Sequence, residues 1–545
     1  MQGRTAIAKI LKIEGVEFVS GFPQNTVFEA GAEEGIRPLM SRNERVGVGI
    51  ADGFSRASFG RHIGVCAMQS GPGVENAFPG VAQAFSDSVP ILVLPGGPAR
   101  RRLLAPSFIA SKNYREITKW ADMINFADRV PEMMRRAFTY LRTGRPGPVM
   151  LEIPGDVANE EFADVMFQYK PVKGAKTAGD PADVREVVKA LIAAKNPVIR
   201  AGQGVLFAGA WDELRELAEL LQIPVYTTMT GKSVFPENHP LSLGAGGRTR
   251  PKMLMHFQKK ADLVLAMGSS CTKEPFTTPI PDGKVVIQST IDERDINKDY
   301  PLEHAIIGDA KLVLRQLIDE VKEQIGLEGR KGNDAVAGEV KAVKDEWMRE
   351  WMPKLTSDEI PINPYRVIWD LMKVLDRKQT IITHDSGGPR DQLLPFWESL
   401  IPGGYIGWGK TTSLGASLGF AMGARLARPD KTVVSFLGNA AFGMVGMDFE
   451  TAVREKIPIL VILVNNSLLG GYHRFHPIAS KRYHLNLQTG DYTKVAEGLG
   501  GYAERVDKPD NIVPAIRRAK KAVDSGQPAL VEIITREELA ESLYQ

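Results

Sequence analysis

Residues 431–466 read KTVVSFLGNAAFGMVGMDFETAVREKIPILVILVNN. Two apolar runs of strand length, TVVSFL (432–437) and ILVILV (459–464), flank a segment with helical spacing. Strands that are apolar throughout, rather than alternating, are buried on both faces, and a helix between two of them makes them parallel. The stretch is therefore predicted to be a βαβ unit. Each strand runs into small or amide-bearing residues: Gly438, Asn439, Ala440 and Ala441 after the first, and NNSLLGG (465–471) after the second. In an open parallel sheet, ligands bind beyond the carboxyl ends of the strands, where glycine turns and helix N-termini gather backbone N–H groups. Asn439 and Asn466 lie 27 positions apart. Their amide oxygens are hard, neutral donors of the kind Mg²⁺ accepts beside a bound phosphate. Two ordinary strand-to-helix turns with asparagine chosen for geometry would read the same way.

Working outward, the alternation recurs along the chain. VEFVSGF, IRPLMSR, HIGVCAMQS and VPILVLPGG read as strands of a first block, interleaved with helices such as ERVGVGIADGFSRAS. NPVIRAGQG, IPVYTT, ADLVLAMGSS and KVVIQSTID read as strands of a second, and QTIITHDSGG opens a third. The predicted fold class is α/β, with three doubly wound parallel-sheet domains over 1–168, 184–325 and 360–545. Residues 169–183 read as a linker, and the charged stretch 326–354 as a solvated connecting helix. Gly202-x-Gly204 after a strand suits either a nucleotide or a tight turn.

Composition narrows the function classes. The 545 residues are too many for one core. A net charge of +3 gives no reason to expect nucleic acid as a partner. The two cysteines, Cys66 and Cys271, form no CxxC or zinc-ligand pattern. Lys9, Lys12 and Glu14 interrupt the N-terminal amphipathic pattern, and no apolar run reaches about 18 residues. These features predict a cytoplasmic protein with no membrane partner.

The spacing from GNAA to NN resembles the thiamine diphosphate (ThDP) signature, G-D-G followed by about 25–30 residues and N-N, in the acetolactate synthase-like family. The resemblance extends over the chain, through SRNERVGVGIADGFSRAS, SGPGVENAFPGVAQAFSDSVPILVL, TGRPGPVMLEIPGDV, IPVYTTMTGKSVFPENHPLSLG and IDERDINKDY. It implies pyrimidine-binding, central and diphosphate-binding domains in that order. It also implies an enzyme with ThDP and Mg²⁺ that decarboxylates or ligates a 2-oxo acid. By position, Glu44 matches the essential glutamate that hydrogen-bonds the cofactor's aminopyrimidine. Leu414 matches the bulky residue that bends the cofactor, beside Thr412. Gly387, Gly388, Gly438, Ala440, Ala441 and Gly470 match backbone positions near the diphosphate. Asn439, Asn466 and the carbonyl of Leu468 match the metal ligands, and Pro23, Pro72 and Asn76 lie around the pyrimidine ring. Gln24, Asn25, Tyr472 and His473 are candidates for substrate contact. The family builds its active site between subunits, implying a homodimer or homotetramer.

The departures are specific. Asn439 stands where the family has Asp, Asn43 where a histidine often precedes the glutamate, and Pro389 where acetolactate synthases carry a histidine. GSSCTKEPF lacks the Arg-Phe-Asp-Asp-Arg run of their FAD contact, which makes FAD doubtful. AAFGMVGMDFET is closer to oxalyl-CoA decarboxylases and 2-hydroxyacyl-CoA lyases, so a CoA thioester is the alternative substrate. ARRRLLAP (99–106) could draw an anionic substrate or face solvent. The loss of charge at Asn439 leaves one more alternative, a weakly ThDP-binding assembly subunit without catalysis.

Overall fold

Val, Ile and Leu crowd the strand positions of this chain, and the structure buries them on both faces of parallel sheets. The computed structural model describes residues 1–102, 108–330, 335–411 and 413–544. The first sheet is built from β1 (Phe18–Phe22), β2 (Arg37–Met40), β3 (Gly64–Met68), β4 (Ile91–Gly97), β5 (Trp120–Met123) and β6 (Val149–Pro154), in the order β2-β1-β3-β4-β6-β5. The second holds β7 (Pro197–Ala201), β8 (Val225–Thr228), β9 (Ser242–Gly246), β10 (Leu263–Met267), β11 (Val285–Thr290) and β12 (His304–Ile307), in the order β12-β11-β10-β7-β8-β9. The third holds β13 (Thr380–His384), β14 (Tyr405–Ile406), β15 (Thr432–Gly438), β16 (Leu460–Asn465), β17 (Tyr502–Val506) and β18 (Ala529–Ile534), in the order β14-β13-β15-β16-β18-β17. The α/β class with three parallel sheets is as the sequence predicts. The first and third sheets share one strand order, although no repeat is visible in the sequence. The second sheet has the order of a dinucleotide fold, with its switch point between β7 and β10.

The decisive stretch is a βαβ unit, as predicted. β15 pairs with β16 in parallel, with Gly438 opposite Val464, so Asn439 and Asn466 emerge at the same carboxyl edge. The strands that the periodicity passes over are mainly edge strands. β5 and β12 are only partly buried, and β14 has two residues, so none carries a continuous apolar run. β6 and β18 are exceptions, buried between β4 and β5 and between β16 and β17.

The stretch 326–354 departs from the solvated connector expected of it. Its helix, Ala335–Leu355, buries Val340, Trp347, Trp351 and Leu355. Trp347 stacks on Phe396 with ring centroids 4.8 Å apart, so one face belongs to the third domain's core. Charges on the other faces hide this stripe from a composition reading.

The first and third domains meet through helices Glu44–Ala57 and Ala416–Ala427. A Cβ at Gly53 would lie 2.4 Å from the Phe420 carbonyl oxygen, and one at Gly423 would lie 2.1 Å from that of Ile50. Glycine is required at these crossings because backbone faces backbone.

Candidate active site

The carboxyl edge of the first sheet carries one set of predicted residues. Glu44 opens its helix after β2 and is only 4% exposed. Its Oε2 accepts a bond from Asn76 Nδ2 at 3.3 Å, and its Oε1 borders Gly73. Asn43 caps the helix by accepting from Arg45 N at 2.9 Å, so it fixes the entry angle of Glu44. Pro23 and Gln24, after β1, and Pro72, after β3, lie exposed on the same edge. Asn25 is spent on the fold: it accepts from Val27 N and donates to Met68 O and Leu94 O. Gln24 is left as the exposed polar side chain of that turn.

The carboxyl edge of the third sheet carries the other set. Gly387, with φ +78°, and Gly388 begin helix Gly388–Phe396 after β13 and are exposed. Gly438 caps helix Asn439–Val445, whose first turn holds Ala440 and Ala441. Asn439 is buried, and its Nδ2 donates to Gln488 O at 3.3 Å, which turns its oxygen the other way. The two asparagines of the NN pair divide their work. Asn465 is structural, donating to the buried Glu532 at 2.7 Å and accepting from Ser467 N. Asn466 is half-buried, and its oxygen accepts from Leu468 N at 3.0 Å. The loop is braced by Gln488 N donating to Ser467 O and by Glu537 accepting from Gly471 N at 2.6 Å. Gly470 is exposed beside Asn466 and Glu537. Tyr472 and His473 follow in a short turn, with His473 Nδ1 3.7 Å from Glu537 Oε2.

These donors could hold a hard cation. Asn439, Asn466 and the Leu468 carbonyl offer neutral oxygens, a set that suits Mg²⁺ when a diphosphate supplies the negative charge. Among the described residues no cluster of three or more His, Cys, Asp or Glu offers a competing metal site.

Leu414 is half-buried on a cluster that includes Leu418, Ala441 and Phe442. Thr412 lies outside the described residues. Along the stretch that leads from β14 to Leu414 and Gly415, the structure gathers three charged residues that the sequence reading left aside. Asp385, after β13, is fully buried and accepts from the backbone N–H groups of Ser386, Gly415 and Ser417 at 2.8–3.1 Å. Burial pushes its carboxyl up, and the backbone donors and Arg45 pull it back. Arg45 reaches from the first domain to Ser413 Oγ at 2.9 Å. Asp87 accepts from Gly409 N at 3.1 Å and Lys410 N at 3.3 Å, and is paired with Arg56. All three stood inside quoted stretches (HDSGG, NERVG, AFSDSVP). The signal for them is a lone charge next to small residues, which only a contact across domains makes legible.

A separate cavity of about 450 Å³ opens at the carboxyl ends of β7, β10 and β11, between Gly202, Gly268, Asp292, Arg145 and Lys410. The Gly202-x-Gly204 turn lines it, and none of the residues matched to ThDP, metal or substrate does. The Gly202-x-Gly204 turn packs on Gly268, where a Cβ at Gly202 would lie 2.3 Å from the Gly268 oxygen. In ARRRLLAP, Arg100 is bound to Asp156 and Glu160, and residues 103–106 lie outside those described.

Comparison with known proteins bears on the whole chain. Residues 1–117 match the N-terminal TPP binding domain of thiamine pyrophosphate enzymes, 184–317 the central domain, and 385–533 the C-terminal TPP binding domain. A probable acetolactate synthase large subunit from Methanocaldococcus jannaschii is 32% identical over 98% of this chain and 92% of its own length. An acetolactate synthase large subunit from Corynebacterium glutamicum is 29% identical over 99% of this chain and 87% of its own. A glyoxylate carboligase from Escherichia coli is 29% identical over 98% and 93%. No described helix is long and apolar enough to cross a membrane. With its three ThDP-enzyme domains in order and relatives aligned from end to end, the chain belongs to the acetolactate synthase family of ThDP-dependent enzymes.

Proposed function

We propose that this enzyme uses ThDP and Mg²⁺ to decarboxylate a 2-oxo acid and to join the remaining fragment to a second carbonyl compound. The observation that carries the reading is Glu44, a carboxyl group buried at the carboxyl edge of the first sheet and held by an amide rather than by a cation. A carboxyl group so placed can hydrogen-bond a ring nitrogen, whereas a salt-bridged glutamate is engaged by its cation. When bound, ThDP would supply a nucleophilic carbon for the oxo group and a cationic ring to take up the electron pair left behind as CO₂ departs. This chain's own residues then have defined tasks. Glu44 sets the protonation of the aminopyrimidine, and Leu414 offers an apolar wall for the cofactor to bend over. Asn439, Asn466 and the Leu468 carbonyl hold Mg²⁺, while Gly387, Gly388, Ala440 and Ala441 expose backbone to the diphosphate. Intact Glu44 counts against a purely assembling subunit.

Two copies are needed to complete the site. Pro23, Gln24 and Pro72 on one edge, and Gly387, Gly388 and Gly470 on the other, lie exposed in the single chain. Beside the metal loop, Phe475, Ile478 and Tyr483 are 76%, 67% and 76% exposed. Exposed apolar side chains grouped in one short stretch suit an interaction surface, and a second copy that brings Glu44 to it would cover both. The relatives named for acetolactate synthesis and glyoxylate ligation make pyruvate and glyoxylate the first substrates to offer. With ThDP and Mg²⁺ present, product analysis is expected to show a ligated hydroxy-oxo acid from at least one of them. Decarboxylation to the free aldehyde from both, without ligation, would reduce the function to a decarboxylase.

A further inference from the structure

Residues 407–411 and 413–415, between β14 and helix Ala416–Ala427, lie outside the helices and strands. Their backbone lacks a ladder of its own, and side chains from elsewhere satisfy it. At one end, Asp87 of the first domain accepts from Gly409 N and Lys410 N, and Arg56 donates to Gly407 O at 2.7 Å. Arg56 is itself held between Asp52 and Asp87, all three buried, with its guanidinium 4.9 Å from the Phe420 ring centroid. At the other end, Arg45 holds Ser413 Oγ, and Asp385 accepts from Gly415 N and Ser417 N. Leu414 lies between these last two grips. Of the residues that grip from the first domain, Arg45 and Arg56 share the helix that begins at Glu44, while Asp87 follows the helix Pro72–Ser86.

Burying charged groups is costly unless each is paired and hydrogen-bonded. A network whose bonds run to one irregular segment fixes the shape of that segment more than it adds stability. Resting on the proposed function, in which Leu414 faces the cofactor, we infer that Arg45 and Asp87 are positioning residues that hold 407–411 and 413–415 in a cofactor-ready shape before ThDP arrives. Neither touches the cofactor; each acts through the segment. Preorganisation of this kind lowers the ordering cost of binding and holds the reacting geometry, so its loss weakens cofactor affinity and lowers turnover together.

The segment carries its own reporter. Trp408 is fully buried within it, 5.6 Å from His384 and 4.9 Å from the Arg390 guanidinium by ring centroid. Tryptophan fluorescence and calorimetry with ThDP and Mg²⁺ are measured on wild type, Arg45→Met, Arg45→Lys, Asp87→Asn and Ser413→Ala, beside thermal unfolding of each apoprotein. The expected result for Arg45→Met is an unchanged apo midpoint, a Kd for ThDP raised about tenfold, and a lower kcat at saturating ThDP with KM for the oxo acid unchanged. Arg45→Lys recovers part of the affinity, and Ser413→Ala shifts Kd in the same direction without removing a charge. Folded Arg45→Met and Ser413→Ala proteins with wild-type ThDP affinity and kcat would overturn the inference. If Arg45→Met does not fold, Ser413→Ala decides alone. A wild-type protein that does not bind ThDP overturns the proposed function and this inference together, whereas wild-type binding with unaltered variants overturns only this one.

Discussion

In the proposed function, Glu44 and Asn439 carry the chemistry at the scale of single residues. Replacing Glu44 by Gln keeps the shape and the Asn76 contact but removes the proton-holding oxygen. Turnover is expected to fall at least about 100-fold while ThDP affinity stays within a few-fold. Steady-state kinetics with a ThDP titration checks both, and an active Glu44→Gln enzyme would remove the role. Asn439→Asp places a negative charge at a buried position beside the proposed metal loop, so the Mg²⁺ concentration for half-maximal ThDP binding should drop about tenfold. An unchanged requirement would mean that Asn439 is not a ligand. The sequence alone shows the spacing of Asn439 and Asn466, because ladder register converts it into a shared edge. It does not show that Asn465 is tied to Glu532, since that bond crosses to a strand 67 positions away. Nor does Asn25 read as structural until its partners on β3 and β4 are seen.

Elements were legible wherever burial is two-sided. β15 and β16 are apolar along their length, whereas edge strands such as β5 carry mixed residues because only part of each is covered. The helix Ala335–Leu355 failed the same reading because its buried stripe of tryptophans is narrow and its other faces are charged. The crossing of Glu44–Ala57 with Ala416–Ala427 depends on absent side chains. Gly53→Ala should cost about 1–3 kcal/mol, since the new methyl meets backbone that cannot rotate away. Thermal unfolding measures the cost, and an unshifted midpoint would show that the helices can slide. β13 ends on His384, which is fully buried, and a Cβ at Gly407 would lie 1.8 Å from its Nε2. Burial and the Arg390 charge hold its pKa down to about 3, from the usual 6.5. The folded state thus keeps the ring neutral where the unfolded chain binds a proton. This contribution is complete above about 6.5 and is lost as pH falls toward about 3, by about 1.4 kcal/mol per unit. His384→Gln should flatten the fall of the unfolding midpoint between pH 6.5 and 4.5; an unaltered slope would assign the acid sensitivity elsewhere.

For the whole molecule, the shared strand order of the first and third sheets places two equivalent carboxyl edges in one chain, each exposing half of the proposed site. If Glu44 of one subunit serves the metal loop of another, mixing inactive Glu44→Gln and Asn466→Ala proteins after dissociation should restore activity, because some mixed dimers hold one intact site. No recovery would place both halves in one chain. The central claim is narrower and is tested most directly by one assay. Carbon dioxide release from pyruvate and from glyoxylate is measured for wild type and Glu44→Gln, with ThDP occupancy determined on the same samples. The account predicts release that requires ThDP and Mg²⁺ in the wild type, and full occupancy without release in Glu44→Gln. Equal release from both proteins, or an occupied wild type that releases none from either acid, would contradict it.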